Sequence, residues 1–299
     1  MSDALAPSAD RVPLISGLAE IADAYEAAIV DLWGVLHDGV TAFPAALDSL
    51  ARFKASGRRV AILSNAPRRA SAVAARNAEL GIAARHHDHV HSSGEDCWRH
   101  LKARSDAWYR ALGRRCLHIG PERDWGLREG LDLDFVESVE GADFLLNTGA
   151  DSSEDRPEDY DPILDPALAR NLPMICANPD RVVIRGGRRE ICAGAIAERY
   201  EDKGGFVRYH GKPDPGVFEA CLEALNQAER RKVLVIGDSL ATDIAGGRAA
   251  GLDCLLITGG IHAEALGVES EEAPAPARLA ALCEEKGVRP DAVLPALRW

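Results

Sequence analysis

Five side chains far apart in the chain could together carry out phosphoryl chemistry: Asp31, Ser64, Lys212, Asp238 and Asp243. Asp31 and Asp238 can share a Mg²⁺ ion, which prefers oxygen ligands and keeps part of its water shell. The metal, the Ser64 hydroxyl and the Lys212 ammonium can then bind the oxygens of a phosphoryl group and stabilise its charge during transfer. Asp31 takes the part of nucleophile, forming an aspartyl-phosphate as carboxylates do in some phosphoryl-transfer enzymes. Asp243, five residues beyond Asp238, reads as a partner behind the direct ligands that orients Lys212 or the waters of the metal. Taken singly, each has a plainer explanation: Asp31 or Asp238 as a helix cap, Ser64-Asn65 as a turn, Lys212 as a surface lysine. Their common placement overrides those readings.

Four of them, Asp31, Ser64, Lys212 and Asp238, each stand at the end of a short apolar run. Runs at Ala27–Trp33, Arg59–Leu63, Leu117–Ile119, Phe144–Leu146, Met174–Cys176, Lys232–Ile236 and Cys254–Ile257 alternate with amphipathic stretches such as Ala66–Leu80 and Pro215–Leu225. This is the pattern of an α/β protein. In an open parallel sheet, ligands sit beyond the carboxyl ends of the strands. Asp31, Ser64 and Asp238 occupy such ends, and a later short run leads into His210-Gly211-Lys212. The acidic stretch from about Asp151 to Asp165 reads as a solvated loop, and Glu269–Arg278 as a loop before a last helix near Leu279–Lys286. No fixed-period repeat is present, which argues against a solenoid.

With these residues in order, the sequence resembles the haloacid dehalogenase (HAD) superfamily, subclass IIA, the NagD-like and p-nitrophenyl-phosphatase-like group. The run from Asp31 to Gly39 (DLWGVLHDG) is similar to that family's first motif and Ser64-Asn65 to its second. Gly211-Lys212-Pro213 is similar to the third, and Gly237-Asp238-Ser239 with Asp243 to the fourth. Between the second and third, Asn178-Pro179-Asp180 and Cys192-Ala193-Gly194-Ala195-Ile196 resemble cap-domain segments. The likeness covers about Tyr25 to Gly260. It implies a Rossmann-like core with a parallel sheet, residues 1–102 and 206–299, and a large inserted α/β cap domain, residues 103–205. It also implies Asp31, Ser64, Asn65 and Lys212 as catalytic residues and a Mg²⁺ cofactor held by Asp31, the backbone carbonyl of Trp33 and Asp238. Asn178, Asp180 and Arg181 fall to the cap's substrate side. The implied activity is hydrolysis of a small phosphorylated metabolite. Cap-mediated dimers are common in related proteins, so a homodimer is the matching expectation.

One position departs from the pattern. The family's phosphatases carry Asp two residues after the nucleophile as general acid and base, and here that residue is Trp33. Tryptophan cannot protonate a leaving alkoxide or take a proton from water. Such help is worth about 10²–10⁴ in rate, so weak turnover of alkyl phosphates and better turnover of aryl phosphates are expected. His37 and Asp38 are the nearby candidates to carry a proton, although a role in the turn fits them better. Trp33 keeps two other readings open: a catalytically weak homologue that binds a phosphorylated ligand or a protein partner, and a HAD hydrolase of a non-phosphoester bond. Acids at 238 and 243 argue against dehalogenation, which is metal-free in the family.

Composition narrows the classes further. The chain has 299 residues with 35 Lys and Arg against 47 Asp and Glu, a net charge of −12. This opposes a broad nucleic-acid or anionic-membrane surface. No apolar run approaches the ~20 residues of a membrane helix. The stretch Met1–Pro13 lacks the basic start of a secretory signal. Seven cysteines without a CxxC pair read as reduced cytosolic thiols, so a cytoplasmic location is expected. His86, His87, His89 and His91 read as a partly exposed strand face rather than a metal site. Gly205–Lys212 misses the P-loop spacing and Gly246–Gly251 the dinucleotide one. Arg181, Arg185, Arg188 and Arg189 read equally as a basic cap rim or a solvated hairpin.

Overall fold

The computed structural model describes residues 12–227, 229–269 and 271–299. Most of the Met1–Pro13 stretch therefore lies outside the described residues. The chain divides into two compact units. The first comprises Met1–Leu63, Leu80–His89 and Pro213–Trp299, and the second Ser64–Glu79 and Val90–Lys212.

Thirteen strands are described: β1 (Ala27–Val30), β2 (Arg59–Ser64), β3 (His89–Ser92), β4 (Arg115–Ile119), β5 (Asp134–Val136), β6 (Phe144–Asn147), β7 (Met174–Cys176), β8 (Val182–Arg185), β9 (Arg188–Ile191), β10 (Val207–Tyr209), β11 (Val233–Gly237), β12 (Asp253–Ile257) and β13 (Ala292–Leu294). One sheet has the order β13-β12-β11-β1-β2-β3. Its pairings of β1 with β11, β1 with β2, β11 with β12 and β12 with β13 are all parallel. Every residue of β1 and β11 is buried, as expected of continuous apolar strands in a sheet covered on both faces. Three covering helices, Pro44–Ala55, Pro215–Ala224 and Pro276–Lys286, have Pro in their first turn, where its missing N–H costs nothing. Ile29, Leu63, Phe218, Val235, Cys254 and Leu279 belong to the core of this layer.

The second unit holds a parallel sheet of order β10-β7-β6-β4-β5. An antiparallel hairpin of β8 and β9 stands apart from it. Its sheet extends to Tyr209, and Tyr160, Leu164, Met174, Ile196 and Tyr200 form its main core. None of the seven cysteines is in a disulfide, and all are buried. Among the described residues no helix is long and apolar enough to cross a membrane.

Several expected boundaries shift for local reasons. β1 stops at Val30 rather than Trp33, because the chain turns at Leu32, whose carbonyl accepts from the N–H groups of Leu36 and His37. The helix expected from Ala66 starts at Ala70, since a residue before Pro67 disfavours helical backbone and Glu95 accepts the Ala70 N–H at 3.2 Å. The loop expected to reach Asp165 ends sooner, with a helix over Asp161–Ala169. The last helix starts at Pro276, three residues ahead of Leu279. In the histidine cluster only His89 and His91 lie in β3, and His86 and His91 are buried.

Candidate active site

In the first sheet the chain runs β1→β2→β3 to one side and β11→β12→β13 to the other, so β1 and β11 flank the topological switch point. That is where an open sheet leaves a crevice. Val30 is in register with Ile236, and the Asp31 N–H donates to the Ile236 carbonyl at 2.9 Å. One and two residues further along, Asp31 and Asp238 emerge from adjacent strand ends. Asp243 comes back to the same place from the turn Leu240–Ile244, with Ser239 as its cap. One carboxylate oxygen from each of Asp31, Asp238 and Asp243 lies within 4.8 Å of the others, and all three residues are buried.

The backbone around them is shaped for close approach. A Cβ on Gly34 would lie 2.0 Å from the Asp238 Oδ2, and one on Gly260 2.1 Å from the same atom. Gly34 also has φ +70°, a conformation that glycine adopts without strain. Asp238 Oδ2 accepts the Ile261 N–H at 2.7 Å, and Asp243 Oδ2 accepts that of Ser239 at 3.2 Å. Three buried carboxylates of one sign are costly to bring together without a cation. An all-oxygen donor set of this kind fits a hard divalent ion such as Mg²⁺. Asp243, expected as an outer partner, lies within the same 4.8 Å as the other two.

The first motif folds back on itself. The Trp33 indole meets the His37 ring edge-on, centroids 5.1 Å apart. It also lies over Gly39, where a Cβ would come within 2.1 Å of the indole. His37 Nδ1 accepts the Gly39 N–H at 2.9 Å. Asp38 accepts the N–H groups of Val40 and Thr41 at 2.9 and 2.7 Å. Those backbone bonds hold its carboxyl below the usual range. Asp38 is thus an ionised turn former.

In the second unit Ser64 closes β2, and its Oγ accepts the Ala66 N–H at 3.2 Å. Asn65 grips the backbone of Lys212: its Oδ1 accepts the Lys212 N–H at 2.8 Å and its Nδ2 reaches the Lys212 carbonyl at 3.3 Å. The same Nδ2 donates to Asp180 at 2.8 Å, so two segments expected to serve the site meet at Asn65. Asp180 in turn donates its N–H to Asn178 Oδ1, and its carbonyl accepts the N–H of Gly194. Ser64, Asn65, Asn178 and Lys212 are buried. Arg181 is exposed and pairs with Glu198, while Arg185 and Arg188 face Glu190 and Glu154 at 3.2 and 3.8 Å. The four arginines stand on or beside the β8–β9 hairpin, three of them beside a glutamate. Sequence reasoning passed over Glu95, Asp96 and Tyr109 altogether, and no motif marks them. His210 was within reach, two residues before Lys212.

Comparison with known proteins agrees with this geometry. The family model described as haloacid dehalogenase-like hydrolase matches residues 25–251, and a second HAD hydrolase-like model matches residues 209–298. The D-glycerol 3-phosphate phosphatase of Mycobacterium tuberculosis is 28% identical over 248 residues, covering 81% of this chain and 65% of its own length. The chain thus spans less than two thirds of that relative. Escherichia coli ribonucleotide monophosphatase NagD is 32% identical over 94 residues, 31% of this chain and 36% of its own. A crystal structure of a haloacid dehalogenase-like hydrolase from Brucella suis superposes with a TM-score of 0.81 at 36% identity, over 95% of this chain and all of that one.

Proposed function

The chain belongs to the haloacid dehalogenase-like hydrolase family, in its NagD-like subclass IIA, and from that membership we propose that it is a Mg²⁺-dependent phosphatase of small phosphorylated metabolites. The observation that carries the proposal is the convergence of the Asp31, Asp238 and Asp243 carboxylates at the ends of β1 and β11. Asp31, Asp238 and the Trp33 carbonyl would hold the metal, with Asp243 beside them. When bound, Mg²⁺ supplies positive charge to polarise the phosphoryl oxygens. Asp31 attacks phosphorus and becomes an aspartyl-phosphate as the alkoxide or phenoxide leaves, and water then hydrolyses the acyl phosphate. Ser64 and Lys212 bind the phosphoryl oxygens, and Asn65 fixes the Lys212 backbone. Asn178, Asp180 and Arg181 serve the substrate side, with residues 103–205 acting as the cap. Cytoplasmic location and a homodimer belong to the same proposal.

Trp33 shapes the substrate range. Neither its indole nor the ionised Asp38 can deliver a proton to a leaving alkoxide, so substrates that leave as stable anions react best. The same residue favours a second reading, a homologue that binds a phosphorylated ligand with little turnover. One panel separates the two: phosphate esters of graded leaving-group quality, with and without Mg²⁺, for the native chain, Asp31→Asn and Trp33→Asp. Metal-dependent turnover lost in Asp31→Asn supports the phosphatase. Tight Mg²⁺-dependent binding of a phosphate ester without turnover supports the second reading.

A further inference from the structure

Lys212 follows β10 through Gly211, whose φ is +102°. A Cβ there would lie 2.5 Å from Asn65 Oδ1 and 2.7 Å from Ser93 Oγ. The backbone thus runs between two side chains with no room to spare. The residue before, His210, is buried and held on every polar atom. Its N–H donates to the Cys176 carbonyl at 3.0 Å, and its own carbonyl accepts the Ser93 hydroxyl. Its Nδ1 lies 2.6 Å from Asp96 Oδ2 and its Nε2 beside the Tyr109 hydroxyl. Burial pushes Asp96 up, but the hydrogen bond and charge of His210, with His100 and His91, outweigh it and hold the carboxyl below its usual range. An ionised Asp96 can only accept, so the network places a proton on His210 Nδ1. Burial pushes the Tyr109 hydroxyl well up, so it stays a donor.

The helix that carries Ser93 and Asp96, Ser93–Ala103, also holds the segment after Asn65. Arg69 pairs with Glu95 at 2.7 Å and lies 3.6 Å above the Trp98 ring. A Cβ on Gly94 would lie 2.4 Å from the backbone of Pro67 and Arg68. On the other flank, Arg208 of β10 pairs with Asp106 at 2.7 Å and lies over the Trp108 and Tyr109 rings. Asp96, His100 and His210 are close enough to suggest a metal site. Hydrogen bonding already explains their approach: both His210 nitrogens are engaged, and the His100 Nδ1–H donates to the Asp96 carbonyl at 2.9 Å.

We propose that Asp96, Tyr109 and His210 form a positioning anchor that fixes the Lys212 segment, so that phosphate affinity depends on side chains that do not touch the substrate. The inference rests on the reading of Lys212 as a phosphate-binding group. Displacement of a binding group by as little as 1 Å can cost as much as ~10² in activity, so a hydroxyl or carboxylate behind Lys212 can matter as much as one in front of it.

The test uses the full chain with Mg²⁺, p-nitrophenyl phosphate as substrate and inorganic phosphate as competitive inhibitor. Asp96→Ala and Tyr109→Phe are expected to raise the phosphate inhibition constant about tenfold, with the Mg²⁺ concentration for half-maximal activity unchanged. Asp96→Asn, whose amide oxygen still accepts from His210, restores most of the affinity. Added to Lys212→Met, Asp96→Ala is expected to change the constant less than about twofold, because effects through one shared group do not add. Should Asp96→Ala fail to fold, Tyr109→Phe, which removes one hydroxyl, decides alone. A full additional loss in the Lys212→Met background, or no loss in the single variants while Lys212→Met loses affinity, overturns the anchor only. An unchanged constant in Lys212→Met overturns the phosphate-binding reading, and the anchor with it.

Discussion

The molecule contains two parallel sheets with a reversal of strand order, and the two reversals end in different chemistry. In the first, β1 and β11 deliver Asp31 and Asp238, with Asp243 beside them. In the second, β4 and β6 flank the reversal and continue into Gly120 and into Thr148-Gly149. There the Arg128 Nε–H donates to His118 Nδ1 at 2.8 Å, and His118 Nε2 meets Thr148 Oγ1 at 2.8 Å. Arg128 stacks on Trp125 and Phe135. One switch point gathers like charge that calls for a cation, whereas the other is closed by a neutral histidine and its partners. Topology makes a crevice in either case, and the side chains at the strand ends decide whether it does chemistry.

The largest expected effect lies at the acidic reversal. Asp31→Asn should lower Mg²⁺-dependent hydrolysis of p-nitrophenyl phosphate by on the order of 10⁴ or more, measured as kcat, while the fold by circular dichroism is kept. Restoring the missing proton donor comes next: Trp33→Asp should raise turnover of an alkyl phosphate by about 10² and of an aryl phosphate far less. Equal gains on both would mean that leaving-group protonation is not what Trp33 lacks. Third, Asp238→Asn should raise the Mg²⁺ concentration for half-maximal activity ~10–100-fold. The same variant should also lose the rise in melting temperature that Mg²⁺ gives by binding the folded state.

The smallest effect belongs to the neutral reversal. Burial, and then the Arg128 charge, push His118 down to about 3 from an ordinary value of 6.5. The folded state keeps this ring neutral while the unfolded state protonates it. Its contribution is therefore complete above about pH 6.5 and is lost as pH falls toward 3. Denaturant titrations from pH 7 to 4 should show a shallower loss of stability in His118→Gln than in the native chain. An identical slope would show that His118 already takes up its proton in the folded state.

Much of the acidic reversal was legible in the sequence because its signals are local. The alternation of short apolar runs with amphipathic stretches gives the α/β pattern, and a polar group closing such a run, as Asp31, Ser64 and Asp238 do, marks a strand end whatever the rest of the chain does. The helix starts were less legible. Ala70 rather than Ala66 begins its helix because Pro67 and the distant Glu95 together decide the first turn. The arginines after Asp180 read equally as a rim or a hairpin until Glu154, Glu190 and Glu198 stood beside three of them.

By itself, then, the sequence determined which groups end the strands, that two of them are acids with a third five residues on, and that residue 33 is neither a general acid nor a general base, since these follow from residue type and from neighbours a few positions away. Only tertiary structure decided what each buried polar group leans on. Asp96 reaches His210 across 114 positions, Asn65 reaches Lys212 across 147, and the indole of Trp33 settles over Gly39. A buried hydrogen-bonding group must find a partner, but nothing in the linear spacing says which one the packed core will bring within reach.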